Sequence, residues 1–266
     1  NLPPGHRFPG TKYGMLRRTL LNENILAPDQ LEISPMASDA DLLRAHAQPF
    51  VDSIEQGTID PAAMRRIGFP WSRHIAVRAR ATMGGAIAAA REAMITGLSG
   101  QLAGGTHHAH YDFGAGYCVY NDFAVAALAL LTEGVVSRVA IIDLDVHQGD
   151  GNAALLAPRP DCFVLSVHGE KNFPFRKHVS DLDVELPDGT EDQDYLSALA
   201  DALPAVWDFR PDLVLYQAGV DPLKEDRLGR LALTQEGLAA RDRLVLSEAY
   251  SRGVPVSMAI GGGYGD

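Results

Sequence analysis

Residues 138–150 read RVAIIDLDVHQGD, a short apolar run that passes directly into acidic, imidazole and amide side chains. Residues 138–142 are rich in β-branched side chains without polar alternation, which is typical of a strand buried on both faces of a sheet. Similar runs occur at 163–167, 213–216 and 254–260, and a weaker one occurs at 100–103. This pattern predicts parallel strands in the core of the protein.

Helical patterns separate the predicted strands. They cover 79–96, 121–133, 191–207 and 234–252, and the glycines at 97 and 253 give the first and last of them a stop signal. Alternation of strand and helix predicts an α/β fold with an open parallel sheet and helices on both faces. Prolines interrupt residues 1–75, which we interpret as short helices and loops over one end of the sheet.

Composition limits the class of protein. The chain has 266 residues, 46% of them hydrophobic, enough for one core, so we expect a single domain over residues 1–266. The chain starts at Asn1 without Met, and we expect one or both ends to have been trimmed.

Charge and cysteine content limit its partners and compartment. A net charge of -11 argues against nucleic-acid binding, which needs a basic surface. Apolar runs are too short to cross a bilayer, which predicts no membrane partner. Two cysteines exclude a disulfide framework and fit a reducing compartment, so we expect the cytoplasm.

Polar residues gather after the predicted strands. The segments that follow them are 104–108 (GGTHH), 143–150 (DLDVHQGD), His168, 218–221 (AGVD) and 261–264 (GGGY). In an open α/β sheet, ligands bind beyond the carboxyl ends of the strands. We therefore expect these segments to meet at one edge of the sheet.

The acidic segment predicts a metal site. Alternation places Asp143, Asp145 and His147 on one side of an extended chain, and burying unpaired carboxylates is very costly. Asp145, His147 and the distant Asp221 make a set of three ligands with one open position, the pattern of catalytic zinc. The alternative is that Asp143 and Asp145 cap a helix over 149–156, which leaves His147 and Asp221 unexplained.

Adjacent histidines follow a double glycine. His107 and His108 are candidate proton carriers near neutral pH, and a carboxylate on the other ring nitrogen would fix their tautomers. Asp143 and Asp150 are the available partners. The alternative is a pair of surface histidines in a loop.

Two tyrosines also follow glycines. Tyr264, after residues 261–263, could donate a hydrogen bond to a developing oxyanion, or pack after a plain turn. Tyr117, beside Gly116, could wall a narrow channel, or pack under a loop. We interpret Cys118 as a small buried residue rather than a nucleophile.

Together these segments resemble the zinc-dependent histone deacetylases and their bacterial relatives. The matching segments are 107–109, 116–118 with 121–122, 143–151, 166–168, 219–221, 226–229 and 262–264. The resemblance runs from about Pro4 to the end in matching order. Residues 170–175 and 190–196 look closest to the class IV branch, although that branch often carries Asn where this chain has Asp150.

The resemblance implies the arginase-deacetylase fold and Zn²⁺ bound by Asp145, His147 and Asp221. It further implies that His108 is the main proton shuttle and that His107 assists it. His107 would pair with Asp143, His108 would pair with Asp150, and Tyr264 would polarise the acyl carbonyl.

A substrate channel and a second cation are also implied by the resemblance. Gly116, Tyr117 and Phe173 would line the channel, with Leu228 near its rim. Family members bind a monovalent cation, K⁺ here, through backbone carbonyls, which in this chain lie around Asp143, Asp145, His147 and Ser166.

The resulting hypothesis is a deacetylase that hydrolyses the amide of acylated lysine by metal-activated water. One alternative is an amidohydrolase of acetylpolyamine or another small acylated amine, which would favour an acidic gate where Leu228 stands, although Glu225 and Asp226 are near. Another is a metal-bound reader of acyl-lysine without turnover. A binuclear ureohydrolase would need further bridging carboxylates. The ligand set accepts Zn²⁺ or Fe²⁺, and the sequence leaves acyl length and oligomeric state open.

Overall fold

Six parallel strands form one open sheet in the computed structural model of the protein, which describes residue 2 and residues 6–265. In chain order the strands are β1 (Leu98–Gln101), β2 (Val139–Asp143), β3 (Cys162–Gly169), β4 (Leu182–Leu186), β5 (Leu213–Gly219) and β6 (Val256–Gly261). Across the sheet the order is β1-β6-β5-β2-β3-β4, with every pairing parallel. The predicted open parallel sheet is confirmed.

Helices flank this sheet. They are α1 (Lys12–Asn22), α2 (Asp39–Leu43), α3 (Gln48–Gln56), α4 (Pro61–Ile67), α5 (Arg73–Thr96), α6 (Asp122–Thr132), α7 (Asp150–Leu156), α8 (Asp192–Asp208) and α9 (Gln235–Arg252), with a 3-10 turn at Pro28–Gln30. The expected short helices thus occupy the first part of the chain. Over the residues that the structure describes, no helix is both long and apolar enough to cross a membrane.

Local capping explains where the longer helices begin. The Asn121 side chain accepts a hydrogen bond from the backbone N–H of Ala124 and starts α6, as its sequence position suggests. α5 begins at Arg73 rather than at 79, because the Ser72 side chain caps it through the N–H of Ile75.

The core has two layers, one on each face of the sheet. Val139 and Ile141 of β2 pack into the layer formed with α5 and α6, and Ala140 and Ile142 pack into the layer formed with α8 and α9. All four side chains are fully buried. Burial of an Ile or Val side chain contributes roughly 1.5–3 kcal/mol, so a short strand of this composition is strongly held at the centre of the sheet.

Three details of the strands differ from the sequence prediction. β4 (LDVEL) was not predicted, because an edge strand needs no continuous apolar run and this one carries Asp183 and Glu185. β1 begins at Leu98, directly after the glycine that ends α5, rather than at 100. His168 lies within β3 rather than after it.

A topological switch point lies between β2 and β5. From β2 the chain continues through α7 to β3 on one side, whereas from β5 it continues through α9 to β6 on the other. Connections that leave in opposite directions open a crevice at the carboxyl ends of the two strands, where ligands of such sheets bind. The segments after β2 and β5 are those that carry the predicted metal ligands.

Truncation of Ile141 tests the packing of the central strand. Ile141→Ala should lower the free energy of unfolding by about 2–5 kcal/mol, since its side chain is 0% exposed and leaves a cavity. Ile33→Ala, at a side chain that is 97% exposed, is the matched control and should change it by less than about 0.5 kcal/mol. Urea denaturation measures both, and equal effects would contradict the assignment of β2 to the core.

Candidate metal centre and active site

Three potential metal ligands meet at the switch point. Asp145 and His147 lie in the loop after β2, and Asp221 lies after β5. One ligand atom from each residue lies within 4.8 Å of the other two, and all three side chains are buried. The structure therefore brings together the set that was predicted from distant segments.

The donor set fits a divalent cation. His147 Nδ1 lies 2.9 Å from Asp145 Oδ1 and 3.1 Å from Asp221 Oδ2, so two carboxylates approach a single ring nitrogen, which carries at most one N–H. Burial, with the nearby Asp145 carboxylate, raises the pKa of Asp221 above its usual value. A cation among these atoms would neutralise both carboxylates and use the imidazole as a neutral ligand.

A glycine makes room for this cluster. Gly262 adopts a left-handed φ of 57°, and a Cβ at this position would collide with the Asp221 carboxylate. The residue before Tyr264 in this turn, Gly263, is also left-handed, with φ of 81°. Glycine adopts such angles without steric cost, so the Gly-rich segment can pass directly over this candidate metal ligand and place Tyr264 beside it.

His107 is paired with Asp143 below the cluster. Its Nδ1 lies 2.9 Å from Asp143 Oδ2, and its Nε2 lies 3.8 Å from Asp145 Oδ1. Burial acts to lower the pKa of His107, but the Asp143 and Asp145 carboxylates outweigh it and raise this pKa to about 9. With 3% of its surface exposed, His107 is not the surface histidine of the alternative interpretation.

His108 has the opposite electrostatic character. Burial and the neighbouring His107 lower the pKa of His108 to about 4, although its Nδ1 lies 2.6 Å from Asp150 Oδ1. Burial acts to raise the pKa of Asp150, but hydrogen bonds from His108 and His110 outweigh it and hold this pKa well below its usual range. The carboxylate is therefore ionised, and His108 Nδ1 is the donor. His108 is therefore a neutral imidazole with a free lone pair on Nε2.

The helix-capping alternative for Asp143 and Asp145 is wrong. α7 has Gly149 at its N-cap and receives no side-chain cap hydrogen bond. Asp143 instead accepts hydrogen bonds from His107 and, at 3.0 Å, from Asn152 Nδ2.

Tyr264 lies beside the ligand cluster. Its ring centroid is 6.4 Å from that of His147, nearly perpendicular to it at 85°. Its backbone N–H donates to Asp226 Oδ2 at 2.6 Å, and the Lys12 ammonium lies 5.4 Å from its ring centre while bonding to the Gly262 carbonyl. Burial, reinforced by Asp145 and Asp221, raises the pKa of the phenol well above its usual value, so its hydroxyl remains a donor.

The predicted channel residues lie near His108 and Tyr264. The Phe173 ring meets that of His108 edge-on at 4.9 Å, and a Cβ on Gly116 would collide with the His108 ring. Tyr117 lies 6.0 Å from the Tyr264 ring and also packs on Phe69 at 5.4 Å, so it contributes both to the site and to the core.

The rim and the strand behind the ligands hold the remaining predicted residues. Leu228 is 37% exposed, and its carbonyl accepts a hydrogen bond from Asn172 Nδ2 at 2.8 Å. Ser166 is buried in β3, opposite Asp143 in the register. Cys118 is buried, and burial raises the pKa of its thiol well above the usual value, which disfavours a nucleophilic thiolate.

Sequence reasoning missed several supporting residues. Asp122 accepts hydrogen bonds from the N–H groups of Gly105, at 2.8 Å, and Thr106, at 2.9 Å, and so fixes the loop that leads to His107. Its position beside the residue that caps α6 is visible in the sequence, but its contact with a separate loop cannot be predicted from spacing.

Arg241 of α9 is a second missed residue. Its guanidinium is fully buried and donates to the carbonyls of Leu144, at 3.2 Å, and Gly219, at 2.6 Å. Those carbonyls belong to the two segments that carry the candidate metal ligands, so one side chain joins these segments. The only signal in the sequence is an arginine within a helix, which is usually a solvated residue.

Comparison with known proteins identifies the family. Residues 6–266 match the histone deacetylase domain, so the chain belongs to the histone deacetylase family. It is 44% identical over 264 residues to an uncharacterized protein of Picosynechococcus sp., covering 99% of this chain and 88% of that protein. It is 30% identical over 270 residues to histone deacetylase 2 of Arabidopsis thaliana, covering 97% of this chain and 70% of that protein.

A solved structure agrees with this assignment. The crystal structure of an HDAC homolog complexed with SAHA is similar, with a TM-score of 0.84 and 26% identity, covering 98% of this chain and 76% of that one. The fold is thus the predicted arginase-deacetylase fold, and the chain is an amide hydrolase of this family.

Loss of one carboxylate tests the metal centre. Asp221→Asn keeps the side-chain shape but removes a charge, and it should weaken binding of Zn²⁺ or Co²⁺ by more than about 100-fold, the upper range for loss of an outer partner. Competition with a fluorescent chelator measures the affinity. Asp201→Asn, at an exposed position of α8, is the matched control. Equal affinities in the two variants would contradict the assignment.

Proposed function

We propose that this protein is a deacetylase that hydrolyses the amide of an acylated lysine side chain, acetyl or longer, with Zn²⁺ as its metal. One observation carries the proposal: three ligand atoms within 4.8 Å of one another lie beside two imidazole–carboxylate pairs and a phenol. Metal-assisted hydrolysis needs these parts together, namely a ligand set, a proton acceptor and an oxyanion donor.

The ligand chemistry supports zinc. Asp145, His147 and Asp221 supply one nitrogen and carboxylate oxygens, a set of three protein ligands that leaves a coordination position for water or substrate. When bound, Zn²⁺ lowers the pKa of water to roughly 7 and polarises a carbonyl oxygen. Because Fe²⁺ accepts the same ligands, elemental analysis of the purified protein distinguishes the two metals.

His108 is the proton shuttle of the proposed reaction. Its Nδ1–H is held by Asp150, so the lone pair on Nε2 can accept the proton of the attacking water and later return it to the leaving amine. His107 assists, because its pairing with Asp143 favours the imidazolium and adds positive charge beside the reacting centre.

Tyr264 is the oxyanion donor. The carbonyl oxygen becomes negative as water attacks, and the protonated phenol can donate a hydrogen bond to it. The backbone of Tyr264 is anchored to Asp226, which limits the movement of the ring relative to the metal ligands.

Acylated lysine is favoured over acetylpolyamine at the rim. The Asp226 carboxylate accepts hydrogen bonds from the backbone N–H groups of Leu228, at 2.8 Å, Gly229, at 3.0 Å, and Tyr264, at 2.6 Å, so it is engaged in holding the loop. The apolar Leu228 and the carboxylate of Glu225 are both exposed beside it. Asp226 is therefore not free to act as the acidic gate that a second ammonium group would need.

The proposal includes K⁺ bound by backbone carbonyls around Asp143, Asp145, His147 and Ser166. The pairing of Asp143 with Ser166 in adjacent strands supports it, because this pairing brings backbone from β2 and β3 together behind the zinc ligands.

Acyl-chain selectivity is the experiment that tests the proposed activity. The protein should hydrolyse a fluorogenic acetyl-lysine peptide, lose this activity with a chelator and regain it with added Zn²⁺. A series from acetyl to myristoyl on the same peptide, together with N-acetylputrescine, defines the substrate. Tight metal binding without hydrolysis of any of these compounds would favour the reader instead.

Removal of the shuttle imidazole should separate catalysis from metal binding. His108→Ala should reduce kcat by about 10²–10⁴-fold, the range for a general acid–base residue, and leave zinc affinity within about threefold. Steady-state kinetics and metal titration measure the two effects. Wild-type turnover in this variant would refute the role of His108.

Removal of a single hydroxyl tests the oxyanion donor. Tyr264→Phe should lower kcat by about 10²–10³-fold, because the ring remains while the donor is lost. Tyr250→Phe, at a side chain that is 88% exposed, is the matched control and should behave as wild type. An unchanged kcat in Tyr264→Phe would remove the phenol from the mechanism.

A further inference from the structure

The Asp150 carboxylate is shared by two histidines. His108 Nδ1 lies 2.6 Å from Oδ1, and His110 Nε2 lies 2.9 Å from Oδ2. The three residues are buried, with 4%, 7% and 7% of the surface of His108, His110 and Asp150 exposed. Each oxygen of Asp150 thus accepts from its own imidazole, whereas Asp143 accepts from one imidazole, a side-chain amide and the backbone N–H of Asp145.

The His110 ring is held in one orientation by its neighbours. It stacks on the Phe113 ring at 4.3 Å with an interplanar angle of 16°, and the Arg66 guanidinium lies 4.8 Å from the centre of that Phe113 ring. The backbone N–H of His110 donates to the Phe113 carbonyl at 2.8 Å. Because the His110 ring is stacked and its backbone is fixed, its Nε2 has a defined position.

His46 fixes the backbone of His110 from the opposite side. The backbone N–H of Asn121 donates to His46 Nε2 at 2.9 Å, so Nε2 is the acceptor and Nδ1 carries the proton. That Nδ1–H donates to the His110 carbonyl at 2.9 Å. His46 is itself buried, with 1% of its surface exposed. The segment that carries His110 is therefore tied to the residue that caps α6.

These contacts determine the positions of the protons. An ionised carboxylate has only acceptors, so both nitrogens that touch Asp150 carry hydrogens: Nδ1–H in His108 and Nε2–H in His110. Two hydrogen bonds, one on each oxygen, prevent the carboxylate from rotating about its bond to Cβ. In the described part of the chain, His108 and His110 are the side chains that donate to this carboxylate.

We propose that His110 is a positioning residue for the hydrolysis, which acts through Asp150 to hold His108 as the Nδ1–H tautomer with Nε2 facing the reacting centre. The expected effect on kcat rests on the proposed function. The chain of contacts is His110 Nε2–H to Asp150, and Asp150 to His108 Nδ1–H. Without the first contact, Oδ2 would lose its donor in a buried place, and the carboxylate would be free to turn away from His108.

Two substitutions at His110 separate the donor from the ring. His110→Phe keeps an aromatic ring against Phe113 and removes the N–H, so kcat on an acetyl-lysine peptide should fall by about 10–100-fold, the usual effect of losing such an outer partner, while KM stays within about twofold. His110→Gln carries an amide donor at a similar reach and should recover most of the lost kcat.

A neighbouring histidine provides the control. The exposed His178 lies 5.1 Å from the His110 ring, and His178→Phe leaves both contacts of Asp150 in place, so its kcat should equal that of wild type. Equal losses in His110→Phe and His110→Gln would mean that the ring matters rather than the donor, and would overturn the proposal. Wild-type kcat in a folded His110→Phe would overturn it as well.

Ring-nitrogen NMR gives a readout that does not depend on activity. Long-range ¹H–¹⁵N spectra of the wild-type protein should show His108 as the Nδ1–H tautomer and His110 as the Nε2–H tautomer, and His108 should lose its single tautomer in His110→Phe but keep it in His110→Gln. The opposite tautomer at His110 would refute the inference even if every variant unfolds. The expected tautomers without hydrolysis of any acyl-lysine would refute the proposed function alone.

Discussion

Three carboxylates are buried side by side at the carboxyl ends of β2 and β5, and the surrounding structure neutralises them. Asp143, Asp145 and Asp221 are 0%, 2% and 0% exposed. An unpaired carboxylate in such a place would cost several kcal/mol, so each needs a positive or donating partner. His107 neutralises Asp143, whereas Asp145 and Asp221 converge on His147, where a divalent cation would complete the neutralisation. Arg241 fixes the two segments that impose this proximity.

The need to neutralise these buried carboxylates also separates the pKa values of two adjacent histidines. The ring centroids of His107 and His108 are 4.0 Å apart, and both are buried, yet their pKa values move in opposite directions. His107 is surrounded by Asp143 and Asp145, which favour its imidazolium. Burial and the positive charge of His107 lower the pKa of His108. The partner of His108 is Asp150, a carboxylate that also accepts a hydrogen bond from His110. A neutral imidazole beside an imidazolium follows from how the negative charges are distributed.

Much of the fold and the chemistry could be read from local patterns. Apolar runs located the central strands, and the rule that ligands bind beyond the carboxyl ends of parallel strands brought Asp221 to Asp145 and His147 across the chain. The prediction failed for residues whose role depends on a contact with an element distant in sequence or on their place in the sheet. β4 lacks a continuous apolar run because it is an edge strand. Arg241 resembles a solvated residue of a helix, since the carbonyls that accept its hydrogen bonds belong to other elements and leave no pattern near it in the sequence.

By itself the sequence determined the class of fold, the residue types of the candidate metal ligands and the presence of two adjacent histidines near them. It could do so because β-branched runs, glycines and acidic residues have strong local preferences. Tertiary structure alone decided which carboxylate pairs with which imidazole, that Asp226 anchors the backbone of Tyr264, and that His110 reaches Asp150. Such pairings depend on distances between loops that are far apart in sequence. Hydrogen bonds and pKa values change over a few ångströms, a scale that spacing along a chain does not specify.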